Sequence, residues 1–167
     1  LQRLQKGDLK QYPMFTSCCP GWVRFLKSQF PELVGQLSTS KSPQQMFGAV
    51  IKSYFAQKIG VPPEKICCIS VMPCLAKKAE CDLPTMRSTG CQDVDFALTT
   101  REVVRMIRAE HIDVAHIPET PFDRFMADYT GAGVIFGATG GVMEAALRTA
   151  FLLGGRGGPP PPPPPGA

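Results

Sequence analysis

Residues 66–80 read ICCISVMPCLAKKAE, an apolar run that ends in a proline and a cysteine and continues into charged residues. The length and continuous apolar character of Ile66–Met72 predict a buried strand, which Cys74 follows closely. Open α/β sheets bind ligands at the edge where their strands end, so Cys74 is a candidate ligand-binding residue. Lys77 could donate to an anionic ligand there. The alternative interpretation of Lys77–Glu80 is a solvated surface turn.

Two helices are predicted on the N-terminal side of this segment. The first follows Cys18–Gly21 and ends at Pro31. The second begins after Ser42, an N-cap residue followed by proline, with Gln45 completing a capping box. Gly60 is placed to end this second helix. The apolar face of the first helix would contain Trp22, Phe25, Leu26 and Phe30.

Further elements are predicted on the C-terminal side. A second buried strand is expected at Val94–Thr99, and Thr99 and Glu102 form a capping pair that begins the next helix. The stretch GAGVIFGATGG (131–141) is predicted to be a strand entering a glycine-rich turn, followed by a helix over 142–153. A nucleotide site is disfavoured at this turn, because the Lys-Ser/Thr ending of a P-loop is missing. The order of elements favours an α/β domain with a mainly parallel sheet.

Seven cysteines are many for 167 residues, and the number is odd. Disulfide frameworks are typical of short secreted chains with an even number, so reduced thiols, some of them metal ligands, are the better interpretation. Cys67 and Cys68 fall inside the first predicted strand and are interpreted as core residues. His111 and His116 lie in a polar stretch and are interpreted as surface residues.

Charge and hydropathy exclude two classes of partner. The net charge is +4, from 18 Lys and Arg against 14 Asp and Glu, and no basic stripe is interleaved with aromatic residues. Nucleic-acid binding is therefore not predicted. No apolar run approaches the roughly 20 residues that span a bilayer, so no membrane association is predicted. The chain begins at a leucine without a secretion signal, and we expect it to start inside a longer protein.

Residues 154–167 differ in composition from the rest of the chain. The sequence GGRGGPPPPPPPGA has no residue that would pack in a core, and its proline run favours an extended conformation. Residues 154–167 are predicted to be a disordered tail, distinct from a folded part over residues 1–153. A natural linker, a docking segment for a proline-binding partner and an artefact of translation or cloning are the alternatives, and an unnatural end is favoured.

Thr16–Trp22 reads TSCCPGW and places two adjacent cysteines where the first predicted helix begins. Backbone amides and the positive end of the helix dipole stabilise thiolates at such a position. Cys18 and Cys19 are therefore candidate reactive thiols or metal ligands. Two small buried residues at a turn are the equally weighted alternative.

Five motifs, in their order along the chain, resemble one family closely. They are TSCCPGW, SKSPQQMFG, VMPCLAKKAE, ALTTREV and GAGVIFGATGGVMEAALR. Together they resemble the catalytic domain of iron-only (FeFe) hydrogenases over about residues 12 to 151. This resemblance implies an α/β fold of two lobes, each with a small, mainly parallel sheet flanked by helices, and an active-site cluster in the cleft between them. Residues 1–153 would form part of this catalytic domain.

The resemblance also implies a cofactor and roles for individual residues. The family's H-cluster is a 4Fe–4S cubane joined through a cysteine sulfur to a diiron unit with carbonyl, cyanide and dithiolate ligands. Cys19 and Cys74 would be two of the four cubane ligands, and Cys18 would donate and accept the proton. Lys77 would hydrogen-bond a cyanide, and Ser38 would continue a proton relay from Cys18. The residues implied to wall the diiron pocket are Gln44, Met72 and Phe136.

The implied activity is the reversible reduction of protons to dihydrogen. Electrons would come from ferredoxin or a similar carrier, hydrogenase maturation proteins would be further partners, and the location would be the cytoplasm or an anaerobic organelle. The family takes its other two cubane ligands from a later C-x-x-x-C motif, which this sequence does not contain. No ferredoxin-like CxxCxxC segment is present either. The chain by itself is therefore expected to be inactive.

Two related functions remain as alternatives. A non-enzymatic iron–sulfur assembly factor of the same superfamily would carry a single cysteine in the first motif, in a pattern like SACPGW. The paired Cys18–Cys19, together with Met72 and Lys77, disfavours that function. A hydrogen-sensing relative with weak turnover is the other alternative.

Overall fold

A computed structural model describes residues 13–123 and 131–153. The chain divides into two units: the described residues 13–114 belong to the first, and the described residues from Ala115 onward belong to the second. The elements of the first unit are α1 (Pro20–Gln29), α2 (Pro43–Val50), α3 (Ala56–Ile59), β1 (Ile69–Met72), α4 (Ala76–Cys81), β2 (Phe96–Thr99) and α5 (Thr100–Ala109). Shorter turns are 3-10 helical at Pro31–Gln36, Pro63–Lys65 and Val114–His116 and π-helical at Ile51–Phe55, between α2 and α3.

The two strands form a parallel sheet whose register runs from Ile69 opposite Phe96 to Met72 opposite Thr99. The predicted α/β class with a small parallel sheet is confirmed. Both strands are shorter than predicted, because the Cys68 amide donates to the Asp95 carboxylate at 2.7 Å instead of to a strand partner. One face of the sheet is also more open than predicted, since Phe96 is 59% exposed. Ala97, on the opposite face, is buried.

A small core lies behind the sheet. Cys81 of α4, Val94 and Ala97 are buried together, and Cys68 packs against them. Helix α2 reaches this core through Gly48, where a Cβ would lie 2.4 Å from the Asp93 carbonyl oxygen and 2.6 Å from Val94 Cγ2. Only glycine permits this approach, so the position of α2 depends on it.

The predicted helix ends are correct where the capping contacts join residues that are close in sequence. Thr99 Oγ1 accepts from the Glu102 amide at 3.2 Å, and the Glu102 carboxylate accepts from the Thr99 amide at 2.7 Å, which confirms this capping box. Gly60 ends α3 with a φ of 66°, as predicted. The capping box at Ser42 is wrong, although Ser42 is the N-cap residue: its hydroxyl donates to Glu80 at 2.8 Å. Gln45 donates to Cys81 Sγ at 3.5 Å.

Helix α1 occupies the predicted position but buries less than predicted. It begins at Pro20 and ends before Pro31. Of the four residues of its predicted apolar face, Leu26 is buried, whereas Phe25 and Phe30 are exposed. The rings of Phe25 and Phe30 pack edge-to-face, with their centroids 5.8 Å apart. The surface of α1 therefore keeps an open apolar side in the described chain.

The second unit contains α6 (Gly131–Ile135) and α7 (Gly141–Leu153). The strand predicted at the start of 131–141 is wrong, because these residues form a helix in which the Phe136 amide donates to the Ala132 carbonyl at 3.1 Å. Short apolar runs fit either element, and periodicity does not separate them. The helix predicted over 142–153 is confirmed. A Cβ on Gly141 would lie 1.8 Å from the Ile135 carbonyl oxygen, so glycine is required between the two helices.

Several remaining predictions concern single residues. Cys67 and Cys68 precede β1, where Cys67 is exposed and Cys68 is half-buried, so the core interpretation is wrong for Cys67. His111 and His116 are exposed, as predicted. None of the described helices combines the length and apolarity needed to cross a membrane. The predicted tail, residues 154–167, lies outside the described residues.

Candidate metal-binding site

The first cysteine motif lies where α1 begins. Cys19 is the N-cap residue of this ten-residue helix, and its backbone amide donates to Ser17 Oγ at 3.0 Å. Cys18 is exposed and Cys19 is partly buried. Cys19 therefore lies where the unpaired amides and the positive end of the dipole of α1 meet.

The second cysteine motif lies where β1 ends, as the sequence predicted. Cys74 follows Met72, the last residue of β1, and its carbonyl accepts from the Lys77 amide at 3.3 Å as α4 begins. The side chain of Cys74 is partly buried. Cys74 is therefore placed at the carboxyl edge of the sheet, between a strand and a helix.

The two motifs meet through the starts of α1 and α4. A Cβ on Gly21 would lie 3.6 Å from Cys19 Sγ and 3.7 Å from Ala76 Cβ, so α1 approaches α4 closely at this point. The Lys77 ammonium, on the first turn of α4, donates to the Cys18 carbonyl. The fold thus brings the first cysteine pair next to the segment that contains Cys74 and Lys77.

Lys77 is itself part of a buried polar cluster. Its ammonium lies 3.2 Å from Glu80 Oε2, and both side chains are buried. The same carboxylate oxygen accepts from Ser42 Oγ and from Gln44 Nε2, each at 2.8 Å. A buried lysine needs such a partner, because an unpaired ammonium in a protein interior is strongly destabilising.

Gln44 connects this cluster to β1, the strand that ends at Met72. Gln44 is buried; its amide nitrogen also donates to the Lys77 carbonyl at 3.3 Å, and its oxygen accepts from Ser70 Oγ at 2.8 Å. Ser70 and Met72 point to one face of β1, because side chains alternate along a strand. Six of the residues predicted for the site therefore gather around the start of α4: Cys18, Cys19, Gln44, Met72, Cys74 and Lys77.

Among the described residues of the first unit, no contact joins Ser38 to this group. Ser38 is hydrogen-bonded to the residue that precedes the first motif: its amide donates to the Phe15 carbonyl at 2.8 Å. Its hydroxyl accepts from the Ser40 amide at 3.2 Å, and within the described ranges no hydrogen bond connects it to Cys18. Phe136 belongs to the second unit and is 45% exposed. The roles of Ser38 and Phe136 stay predictions.

The donors present suit part of an iron–sulfur ligand set. Cysteine sulfur is the soft donor that iron–sulfur clusters require, and Cys19 and Cys74 offer two such donors near one corner of the fold. Residues 13–123 and 131–153 contain no group of three or more His, Cys, Asp or Glu arranged to hold a metal ion. The described chain thus supplies an incomplete coordination sphere.

The sequence predicts no functional role for Glu80. It falls in the possible surface turn Lys77–Glu80, although Lys77 and Glu80 have the i,i+3 spacing that brings side chains together on a helix. That spacing was the available signal. The partners Ser42 and Gln44 are more than thirty residues away in sequence and leave no local signal.

A second buried charge lies near the other cysteine pair. Lys52 is 1% exposed and contacts Asp95 at 2.7 Å, and Asp95 also accepts from the Cys68 amide. Burial raises the pKa of the Cys68 thiol, and the Asp95 carboxylate raises it further. Burial likewise raises the pKa of Cys81. These surroundings disfavour a thiolate at Cys68 and Cys81.

Comparison with known proteins gives close relatives. The chain is 52% identical over 157 residues to the NADP-reducing hydrogenase subunit HndD of Solidesulfovibrio fructosivorans, covering 92% of this chain and 27% of that protein. It is 50% identical over 150 residues to iron hydrogenase 1 of Clostridium pasteurianum, covering 90% and 26%. The chain therefore spans about a quarter of the length of these relatives. A cytosolic Fe-S cluster assembly factor (narfl) of Xenopus tropicalis is 34% identical over 152 residues, covering 87% and 32%.

Solved structures agree with these relatives. The [FeFe]-hydrogenase HydA1 from Chlamydomonas reinhardtii matches with a TM-score of 0.76 and 41% identity, covering 96% of this chain and 40% of that chain. A structure that describes [FeFe]-hydrogenase inactivation by oxygen, initiated by modification and degradation of the H cluster 2Fe subcluster, matches with a TM-score of 0.75 and 43% identity, covering 90% and 37%. The family model for the C-terminal domain of the iron-only hydrogenase large subunit matches residues 1–154, and the chain belongs to this family.

Proposed function

We propose that this chain is the part of an FeFe hydrogenase catalytic domain that contains the proton-transferring cysteine and two ligands of the H-cluster. The observation that carries this proposal is the meeting of Cys18–Cys19 with the Cys74–Lys77 segment at two neighbouring helix starts. The H-cluster, when bound, would supply the reversible reduction of protons to dihydrogen, with electrons from ferredoxin or a similar carrier.

Cys19 and Cys74 would hold the cubane part of the cluster. Cys19 is held at the N-cap position of α1, and Cys74 is held between β1 and α4. Two ligands are half of a cubane's usual four. The remaining ligands would come from outside the residues that the structure describes.

Cys18 would hold and pass on the proton at its Sγ atom. It is exposed and lies next to a ligand without being one itself, as a group that alternates between thiol and thiolate requires. The contact of its carbonyl with the Lys77 ammonium fixes the backbone from which this thiol projects. In this proposal Ser38 passes the proton outward.

Lys77 would present a positive charge to an anionic ligand of the diiron unit. An ammonium has three N–H donors, and a charge-assisted hydrogen bond from a buried donor is stronger than a neutral one. Gln44, Met72 and Phe136 would line the pocket and exclude water from it. The buried position of Gln44 beside Lys77 supports its part in this wall.

An iron–sulfur assembly factor is the second candidate, because the chain is 34% identical to one such protein. The identities of 52% and 50% to two hydrogenases favour the enzyme. The pair Cys18–Cys19 also favours the enzyme, since cluster binding alone would not need the adjacent free thiol. A hydrogen-sensing relative would share the site and differ in turnover.

Partners and location are proposed from the family alone. Ferredoxin or a similar carrier would deliver electrons, and hydrogenase maturation proteins would insert the cofactor. The cytoplasm or an anaerobic organelle is the proposed location. Nucleic acid and membrane are not proposed as partners.

A chimera tests the proposed function. Residues 1–153 would replace the matching segment of iron hydrogenase 1 from Clostridium pasteurianum, so that the relative supplies the rest of the enzyme. After anaerobic loading with iron, sulfide and a synthetic diiron precursor, dihydrogen evolution and bound iron are measured. We expect activity in the chimera, and Cys18→Ala should lower it about 100-fold or more while iron stays bound. Cys67→Ala is the matched control and should stay within about twofold, because a surface substitution away from the site has little effect.

Two outcomes would contradict the hydrogenase proposal. A chimera that binds iron yet evolves no dihydrogen, beside an active parent enzyme, would favour the assembly factor. Equal activity after Cys18→Ala and Cys67→Ala would remove the proton-transfer role from Cys18.

A further inference from the structure

We infer that Glu80 is a positioning residue: with Ser42 and Gln44, it holds the Lys77 ammonium where the two cysteine motifs meet. The inference deepens the proposed function and rests on it for the identity of the anion that Lys77 would face. The contacts around Glu80 are independent of that identity.

One oxygen atom of Glu80 is the centre of the cluster. Oε2 accepts from Ser42 Oγ at 2.8 Å, from Gln44 Nε2 at 2.8 Å and from Lys77 Nζ at 3.2 Å. Glu80 is 5% exposed, so the carboxylate has exchanged water for these three donors. A carboxylate buried in this way needs such donors in place of water, and it fixes the nearest cation in return.

The carboxylate is fixed from outside its own helix. Ser42 is the N-cap residue of α2, yet its hydroxyl donates to Glu80 instead of capping α2. Gln44, in the first turn of α2, binds Glu80 with its nitrogen and Ser70 of β1 with its oxygen. The position of Glu80 therefore depends on α2 directly, and on β1 through Gln44. A residue that only filled space on α4 would not need two hydrogen-bond partners from another helix.

Lys77 completes the arrangement. Its ammonium donates to the Glu80 carboxylate and to the Cys18 carbonyl, the two acceptors that the described residues provide for it. An ammonium has three N–H donors, so one is left for a further acceptor. With two donors held in fixed directions, the direction of the third is fixed too. Glu80 would thus aim Lys77 at its ligand without touching that ligand.

Lysine acylation tests this inference on the full 167-residue chain without cofactor. The chain is treated with a limiting amount of an N-hydroxysuccinimide acetate, and the acylation rate of each lysine is measured by mass spectrometry. Glu80→Gln keeps the shape of the side chain and removes its charge. We expect Lys77 to react about fivefold faster or more, because Glu80→Gln removes the charged acceptor that engages the Lys77 nitrogen. Exposed Lys27 serves as the reference for reagent activity.

Lys52 is the internal control for folding. It is buried and paired with Asp95, outside the Glu80 cluster, so it should stay protected in a folded Glu80→Gln variant. Glu32→Gln, which removes an exposed carboxylate, should leave Lys77 unchanged. Glu80→Asp restores the charge on a shorter side chain and should recover part of the protection.

Each result decides the inference. Selective reaction of Lys77 in Glu80→Gln, partly reversed in Glu80→Asp, supports it. Protection of Lys77 equal to that in the unsubstituted chain overturns it. If Lys52 becomes reactive too, the Glu80→Gln variant has lost its fold, and the Ser42→Ala variant is measured in its place. Ser42→Ala removes one of the three donors to Glu80. A selective rise of about twofold in the acylation rate of Lys77 then supports the inference, and no rise overturns it. No dihydrogen is measured, so failure here is distinct from failure of the proposed function.

Discussion

Cys18–Cys19 and Cys67–Cys68 are both pairs of adjacent cysteines, and the fold gives them different surroundings. The first pair lies at the start of α1, with the Lys77 ammonium on its backbone. The second pair precedes β1, where the Cys68 amide is bound by the Asp95 carboxylate. A cation therefore lies beside the first pair, whereas burial and an anion raise the pKa of Cys68.

Adjacent cysteines therefore lie in two different electrostatic surroundings in this fold. Both pairs sit beside a buried lysine paired with a carboxylate: Lys77 with Glu80, and Lys52 with Asp95. In the first case the lysine contacts the cysteine backbone directly, whereas in the second the carboxylate does. The sign of the nearest charge therefore distinguishes a candidate ligand pair from a structural one.

The largest effect is expected from removing the anion of the second pair. Asp95→Ala leaves Lys52 buried without its partner and the Cys68 amide without its acceptor. We expect the free energy of unfolding to fall by about 3 kcal/mol, as when one member of a buried ion pair is lost. Urea unfolding of the full chain measures this change. Asp82→Ala, at an exposed carboxylate, should change it by less than about 0.5 kcal/mol; equal effects would contradict the role of Asp95.

The next largest effect is a difference in iron binding between the predicted ligands Cys19 and Cys74 and the second cysteine pair. In the chimera with iron hydrogenase 1, Cys19→Ser and Cys74→Ser should each lower the retained iron about tenfold or more, because a hydroxyl replaces a soft sulfur ligand. Cys67→Ser and Cys68→Ser should leave it within about twofold. Iron content after desalting, together with the absorbance of the cluster, measures the difference. Equal losses from both pairs would remove the distinction that the fold suggests.

A smaller effect concerns the reactivity of Cys68. Burial raises the pKa of this thiol, and the Asp95 carboxylate adds to the rise, so Cys68 should react slowly with iodoacetamide near pH 8. Asp95→Asn keeps a side chain of similar shape and removes the charge, and should speed alkylation of Cys68 about threefold. Exposed Cys18, measured in the same digest, should keep its rate. An unchanged rate at Cys68 would show that the Asp95 charge does not act on it.

The smallest effect lies at the helix that follows β2. The Glu102 pKa is lowered from its usual 4.5 to about 2, first by its hydrogen bond with Lys78 and then by the Thr99 amide and hydroxyl. A lowered pKa stabilises the fold above pH 4.5, and this contribution is lost as the pH falls towards 2. Glu102→Gln should therefore flatten the pH dependence of stability in that range. Thermal melts at several pH values measure this, and an equally steep dependence in the variant would assign acid sensitivity to another group.

Local signals predicted part of the fold correctly. The Thr99–Glu102 capping box is present, and α3 ends at Gly60 as predicted. Each of these two features depends only on residues within one helical turn. The capping box at Ser42 used the same reasoning and is wrong, because Glu80, 38 residues later, takes the serine hydroxyl. The strand predicted in 131–141 is wrong because a short apolar run does not distinguish strand from helix.

The order of five motifs in the sequence determined the family, since cysteines, glycines and capping residues at given spacings can be read along the chain. The placement of Cys74 just past a strand was determined in the same way. Only the tertiary structure decided which cysteine pair meets a cation, and that Glu80 is a buried partner of Lys77 instead of a surface residue. The physical reason is range: caps and turns are set by neighbours in sequence, whereas the charge beside a thiol depends on side chains that folding brings from distant segments.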